Sequence, residues 1–201
     1  MTLIIAAGDS TTAGTPGFAS PIEAPPDGAG NVESQFAHWL MQQHPEWRVL
    51  NRGVDGERSD QIRARFVRDV SELKPDAAIV LAGVNDIYQG RSADAVTREL
   101  DAMYAAARLA RVPVVAATII PYDTATEDQN ARMHVVNDWI RARADGRTSW
   151  MAVADTRSAV ASPENPDRLV SSPDGLHPSP EGYRLMALAL EPVLVGLLSE
   201  R

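Results

Sequence analysis

Five short apolar runs alternate with longer segments of helical periodicity along this chain of 201 residues. The runs are continuously apolar rather than alternating, as expected for strands that are covered on both faces. A repeated order of strand and helix favours a parallel sheet with helices on both sides, which is an α/β fold. The predicted strands are residues 3–7, 48–50 (the weakest run), 77–82, 112–118 and 149–153.

The segments between the runs carry an apolar residue at every third or fourth position, which predicts helices with one buried face. Ser92, Thr126 and Ser179 are the predicted N-caps of three of these helices. In the last helix, Pro192 is expected to cause a kink or an early end. The predicted apolar faces are Ile62, Phe66, Val70 and Leu73; Val96, Leu100, Met103, Ala107 and Ala110; Met133, Val136, Ile140 and Ala144; and Tyr183, Met186, Leu190, Leu194 and Leu197.

Length and charge limit the classes of protein to be considered. A chain of this size is expected to form one domain, residues 1–201. The net charge of −8 argues against nucleic acid or an anionic membrane as the main partner, and the lack of cysteine excludes disulfides and thiolate ligands. The start of the chain lacks a basic region, and no apolar stretch approaches the ~20 residues that cross a bilayer. A cytoplasmic location is therefore expected.

A candidate nucleophile directly follows the first predicted strand. In parallel α/β sheets, ligands bind beyond the carboxyl ends of the strands, which is where Gly8, Asp9 and Ser10 stand. The Ser10 hydroxyl can act as a nucleophile if a base accepts its proton, and its N–H can face an oxyanion. The alternative is that Asp9 and Ser10 only cap a helix or turn.

His177 is the candidate base. It lies in a proline-bounded loop before the last helix, and Asp174 stands three residues before it. This spacing allows Asp174 to accept the Nδ1–H, which leaves Nε2 to accept the serine proton. The alternative is a turn in which Asp174 bonds only nearby backbone. The other histidines fall within or at the end of helical patterns and are expected to be surface or cap residues: His38, His44 and His134.

Two further segments contain candidate hydrogen-bond donors to an oxyanion. Asn85 follows the third strand and carries an amide NH2, although an Asx-turn explains an Asn-Asp pair equally well. Gly56 follows the second strand and offers an N–H without a side chain in the way. Gly53 is the rival for this role, and either glycine can be a plain turn residue.

These four elements, in this order, closely resemble those of the SGNH hydrolases, the superfamily of GDSL-type lipases and esterases. The matching blocks are residues 8–10, 51–57, 83–86 and 174–177, so the resemblance covers nearly the whole chain. It implies a flavodoxin-like, three-layer α/β/α sandwich with a five-stranded parallel sheet in the order 2-1-3-4-5. Two departures, Thr11 in the first block and Glu57 in the second, mean that the substrate pocket cannot be carried over from relatives.

The resemblance implies an esterase with Ser10, Asp174 and His177 as its catalytic triad and with Ser10, Gly56 and Asn85 as its oxyanion hole. No metal or cofactor is expected. Short-chain acyl or acetyl esters, including acetylated carbohydrate, are the expected substrates; acyl thioesters and lysophospholipids are alternatives, as is a non-catalytic module that binds a small ligand or carbohydrate. The oligomeric state is not predicted. Further candidates for substrate binding are Asp9, Asp55, Val84 and Asp86, of which Asp86 can alternatively support the site.

The segment 15–30 interrupts the alternation of strands and helices because it is too rich in proline and glycine for a helix. Loops of this length are usually either functional or disordered. Since the segment follows Ser10 closely, it is expected to border the active site as a rim or lid or else to form a solvated surface insert. The sequence leaves both interpretations open.

Overall fold

The computed structural model describes residues 1–144 and 150–199, which form an α/β/α sandwich around a five-stranded parallel sheet. The strand order is β2-β1-β3-β4-β5, so the predicted fold and the order implied by the resemblance are confirmed. The strands are β1 (Thr2–Gly8), β2 (Trp47–Gly53), β3 (Ala77–Leu81), β4 (Val114–Ala117) and β5 (Met151–Ala154).

The predicted strand limits differ from the observed ones most at the edge strand β2, and the interior strand β4 is also shorter than its predicted run 112–118. β2 is longer than the predicted run 48–50. The prediction was too short because in this edge strand buried residues alternate with the exposed Arg48 and the half-buried Arg52, so the sequence shows no long apolar run. At the other edge, β5 begins at Met151, whereas Ser149, where the predicted run began, lies outside the described residues.

Helices cover both faces of the sheet and begin at the predicted caps. Ser92 accepts a hydrogen bond from the N–H of Ala95, and Thr126 and Ser179 cap the helices that follow them in the same way. The helices are α1 (Ser10–Ala13), α2 (Phe36–Gln43), α3 (Ser59–Asp69), α4 (Val84–Tyr88), α5 (Ala93–Leu109), α6 (Glu127–Ala144), α7 (Thr156–Val160) and α8 (Pro180–Ser199). α3 ends before Leu73, which lies in a 3₁₀ turn and is 39% exposed, so its predicted place on the buried face is wrong.

The hydrophobic core has two halves, one on each face of the sheet. α3, α5 and α6 cover one face, and α2 and α8 cover the other. The predicted apolar stripes lie in these two halves apart from Leu73, and the side chain of Ala144 lies outside what the structure describes. Because successive residues of a strand point to opposite faces, Ile5 packs into the first half and Ile4 into the second. The sheet is therefore buried on both sides, and its carboxyl edge is left for a site.

The last helix differs from its prediction in two respects. α8 continues through Pro192 to Ser199, so the predicted early end is wrong. Leu194 and Leu197 remain buried beyond the proline, and their packing offsets the roughly 3 kcal/mol that an interior proline costs. By length and composition, α8 could also cross a membrane, contrary to the expectation for this chain, but its apolar stripe packs against the sheet.

Candidate active site

Ser10 is the first residue of α1, directly after the carboxyl end of β1. The N-cap Asp9 accepts a hydrogen bond from the N–H of Thr11 at 3.0 Å, so the capping interpretation is correct for this residue. A Cβ on Gly8 would lie 2.1 Å from the Thr12 hydroxyl oxygen and 2.4 Å from the Leu81 carbonyl oxygen, so only glycine fits where the strand enters the helix. The backbone therefore holds Ser10 at the edge of the sheet.

A chain of hydrogen bonds joins Ser10, His177 and Asp174. Nε2 of His177 lies 2.8 Å from the Ser10 Oγ, and Nδ1 lies 2.7 Å from Oδ2 of Asp174. The other carboxylate oxygen of Asp174 accepts the N–H groups of Leu176 and His177, so Asp174 both forms a turn and orients the ring. Partial burial acts to raise the pKa of Asp174, but the hydrogen bonds from His177 and Leu176 outweigh it and hold that pKa below its usual value. Asp174 is therefore ionised at neutral pH.

The loop that carries His177 is fixed by neighbouring polar groups. Ser172 donates through its hydroxyl to the His177 carbonyl oxygen at 2.6 Å and accepts from the Gly175 N–H at 2.8 Å. The N–H of Asp123, beyond β4, donates to the Gly175 carbonyl oxygen at 2.8 Å, and the Asp123 carboxylate accepts from the N–H of Leu169. The position of His177 thus depends on Asp123, which the sequence did not single out because its partners are remote in the chain.

The two candidate oxyanion donors lie at the same pocket as Ser10. Asn85, in the first turn of α4, donates one side-chain N–H to the Glu57 carbonyl oxygen at 3.0 Å and has a second N–H to offer. Gly56 has φ of +73°, and a Cβ there would meet no atom within 4 Å. The N–H of its rival Gly53 donates to Oδ1 of Asn51 at 2.9 Å, so it is not free to donate to an oxyanion.

Asp86 was predicted to support the site or contact substrate, and the structure places it outside the pocket. Its carboxylate is fully buried and accepts hydrogen bonds from the N–H and hydroxyl of Ser59 and from Arg91. These partners bond both carboxylate oxygens, so Asp86 is not available to substrate. It ties the start of α3 to α4, which carries Asn85, so the geometry fits the predicted supporting role but not substrate contact.

Asp9 was predicted to bind substrate, and it too lies outside the pocket lining. It is 1% exposed, and its Oδ2 has no hydrogen-bond partner. Burial raises its pKa to about 7, against the opposing effect of the Thr11 N–H. Asp9 is therefore a capping residue beside the nucleophile, and its carboxylate binds a proton more tightly than an ordinary carboxylate does.

The pocket beside Ser10 has a volume of about 260 Å³. Tyr88 and Tyr122 form part of its apolar wall with their rings edge to face at 5.8 Å, and neither was predicted. Tyr88 lies one helical turn after Val84, and Tyr122 lies beyond the end of β4. Because both residues follow the carboxyl ends of strands, the sequence could have indicated them once the strands were predicted. The lining residues are Ser10, Thr11, Thr15, Asp55, Gly56, Val84, Asn85, Tyr88, Tyr122, Leu176 and His177.

The segment 15–30 borders the pocket only through Thr15, whose hydroxyl donates to Oδ1 of Asp55 at 2.6 Å. The rest contains a short antiparallel ribbon, Phe18–Ala19 with Ala29–Gly30, and Ser20 donates to the Gly53 carbonyl oxygen at the end of β2. The rim interpretation therefore holds for the first residue, whereas most of residues 22–30 are exposed, as the alternative of a solvated surface insert expects. No lid covers the pocket in the part of the chain that the structure describes.

The remaining histidines lie away from the pocket, as predicted. His44 ends α2 and contacts Glu46 and Glu191, and His134 on α6 contacts Asp167. Within residues 1–144 and 150–199, no group of three or more histidine or acidic side chains is arranged to hold a metal ion. The pocket brings together a hydroxyl, an imidazole and a carboxylate beside hydrogen-bond donors.

Comparisons with known proteins agree with this arrangement. A model of the GDSL-like lipase/acylhydrolase family matches residues 6–185. Similar solved structures include a lipolytic G-D-S-L family protein from Desulfitobacterium hafniense (24% identity, 96% of this chain and 99% of that one, TM-score 0.77). Another is a carbohydrate esterase of family 3 from Talaromyces cellulolyticus (21% identity, 100% of both chains, TM-score 0.75). No curated protein matches the chain.

Proposed function

The chain belongs to the GDSL-like lipase/acylhydrolase family, and from this premise we propose that it hydrolyses carboxylic esters through an acyl-enzyme on Ser10. Family membership supports ester hydrolysis in general. The geometry of the site supports the mechanism. The observation that carries it is the hydrogen-bond chain from Ser10 through His177 to Asp174, at 2.8 Å and 2.7 Å, beside a pocket lined by two candidate oxyanion donors.

In the first half of the reaction, Nε2 of His177 accepts the proton of the Ser10 hydroxyl as Oγ attacks the carbonyl carbon. The ionised Asp174 stabilises the imidazolium that forms and keeps Nε2 directed at Oγ. The negative charge that develops on the carbonyl oxygen is held by the N–H groups of Ser10, Gly56 and the Asn85 side chain. His177 then gives its proton to the departing alcohol, and the ester bond breaks.

In the second half, water takes the place of the alcohol. His177 accepts a proton from this water, whose oxygen attacks the acyl carbon on Ser10. The same donors hold the second oxyanion, and the carboxylic acid leaves as Ser10 recovers its proton. The proposed reaction consumes one water for each ester and uses the side chains and backbone N–H groups named above.

The size of the pocket supports a small substrate. A volume of about 260 Å³ is below the usual ~300–1,000 Å³ of pockets for drug-sized ligands, which favours acetyl and other short acyl groups over long chains. The structural similarity to a carbohydrate esterase supports an acetylated sugar as one candidate of this size class.

Hydrolysis of p-nitrophenyl esters, from acetyl to long acyl chains, tests this proposal. We expect turnover that is fastest on short chains and falls to background in Ser10→Ala. Ser199→Ala is the matched control, since Ser199 is an exposed serine in the last turn of α8, and it should retain full activity. Hydrolysis that survives Ser10→Ala would contradict the assigned nucleophile, and preference for long chains would contradict the assigned substrate size.

A further inference from the structure

The walls of the pocket differ in polarity. Val84, Tyr88, Tyr122 and Leu176 supply an apolar lining, whereas Asp55 brings a carboxylate. Asp55 is exposed, and Thr15 orients it by donating to its Oδ1 at 2.6 Å. Among the described residues, no side chain bonds to the other carboxylate oxygen, Oδ2, so this oxygen is left to interact with a bound molecule.

Positive side chains do not offset this carboxylate. In the part of the chain that the structure describes, none of the residues that line the pocket is lysine or arginine. Arg58 and Arg65, which follow Asp55 in the sequence, are committed to other carboxylates: Arg58 pairs with Asp60, and Arg65 pairs with Glu57 at 2.7 Å. Arg52, three residues before Asp55, does not line the pocket. Glu23 adds a second acidic group beside Asp55, because its carboxylate accepts the Asp55 N–H at 3.1 Å.

We propose that Asp55 determines substrate specificity by charge, so that the pocket accepts esters of neutral or cationic alcohols and rejects those that carry an anion near the ester. The chemistry follows from the position of Asp55 in the pocket lining, because its carboxylate can accept hydrogen bonds from hydroxyl or ammonium groups and repels phosphate or sulfonate. Phosphate-bearing thioester carriers and lysophospholipids are thereby disfavoured as substrates. The inference rests on the ester hydrolysis proposed above.

Three acetate esters of similar size test the inference: acetylcholine, its neutral isostere 3,3-dimethylbutyl acetate, and the anionic 3-acetoxypropanesulfonate. In the native protein, we expect kcat/KM to be highest for the cation and lowest for the anion. Asp55→Asn should lower the ratio of cation to anion by about tenfold or more, because two unit charges within a few ångströms interact appreciably even near solvent. Asp55→Glu, which keeps the charge, should keep the order of the three esters.

Asp94→Asn is the control for a general change in charge, since Asp94 is exposed in the first turn of α5 and should leave the ratio unchanged. The native ratio should also fall as salt is added, which tests the inference without any substitution. An equal ratio in the native protein and a folded Asp55→Asn variant would overturn the role of Asp55, while hydrolysis of the neutral ester still supported the proposed function. Failure of the native protein to hydrolyse any of the three would count against both.

Discussion

Replacing Asn85 by alanine should lower kcat far more than it lowers the folding free energy. The Asn85 amide carries two N–H groups; one donates to the Glu57 carbonyl oxygen at 3.0 Å, and the other is assigned to the oxyanion. Loss of one oxyanion donor lowers kcat by ~100–1,000-fold, or about 2.7–4 kcal/mol. Loss of the part-buried bond to Glu57 should cost only about 1 kcal/mol of folding free energy.

The assay is steady-state hydrolysis of p-nitrophenyl acetate together with thermal unfolding of the same samples. Because the oxyanion exists only in the transition state, kcat should fall while KM changes little. Gln89→Ala is the matched control, since this amide ends the same helix and contacts Arg58 but does not line the pocket. A folded Asn85→Ala variant whose kcat stays within about threefold of native would refute the assigned role.

Further substitutions test the backbone and the buried carboxylate beside the nucleophile. Gly53→Ala should unfold the protein or lower its melting temperature far more than Gly56→Ala. At Gly53 the added Cβ would lie 2.1 Å from the Ala13 nitrogen, whereas at Gly56 it meets no atom and only the positive φ is unfavourable. An equal fall in melting temperature for the two variants would contradict this. Since the pKa of Asp9 is raised to about 7, the folded protein binds its proton more tightly than the unfolded chain does. The contribution of Asp9 to the free energy of unfolding is then fully present below about pH 4 and is lost as the pH rises through about 7, by up to roughly 4 kcal/mol. Asp9→Asn should remove this dependence in urea unfolding measured at about pH 5 and about pH 8, and parallel curves for the two proteins would count against it.

The sequence predicts best what depends on local spacing. Asp174 and His177 are three residues apart, so one loop brings them together whatever the rest of the fold does. The central strands are buried on both faces and therefore produce unbroken apolar runs, whereas the edge strand β2 alternates and was predicted too short. Ser10 could be placed because it follows the first strand of a parallel sheet.

The contacts that the sequence did not predict join distant parts of the chain. Asp86 was assigned to substrate or support because it adjoins Asn85, but its carboxylate is satisfied by Ser59, 27 residues away, and by Arg91. The pocket wall of Tyr88 and Tyr122 comes from two separate elements, so no single motif contains it. The continuation of α8 through Pro192 likewise follows from burial of residues beyond the proline, which local propensity does not reveal.

Covalent labelling of the native protein with a fluorophosphonate, followed by peptide mass mapping, tests the central claim most directly. A serine activated by His177 should react, so we expect one adduct, on Ser10, with loss of p-nitrophenyl acetate hydrolysis in proportion to labelling. The same reagent should not label His177→Ala at a comparable rate. An adduct on another residue, or full hydrolysis after complete labelling of Ser10, would contradict the assignment of Ser10 as the nucleophile.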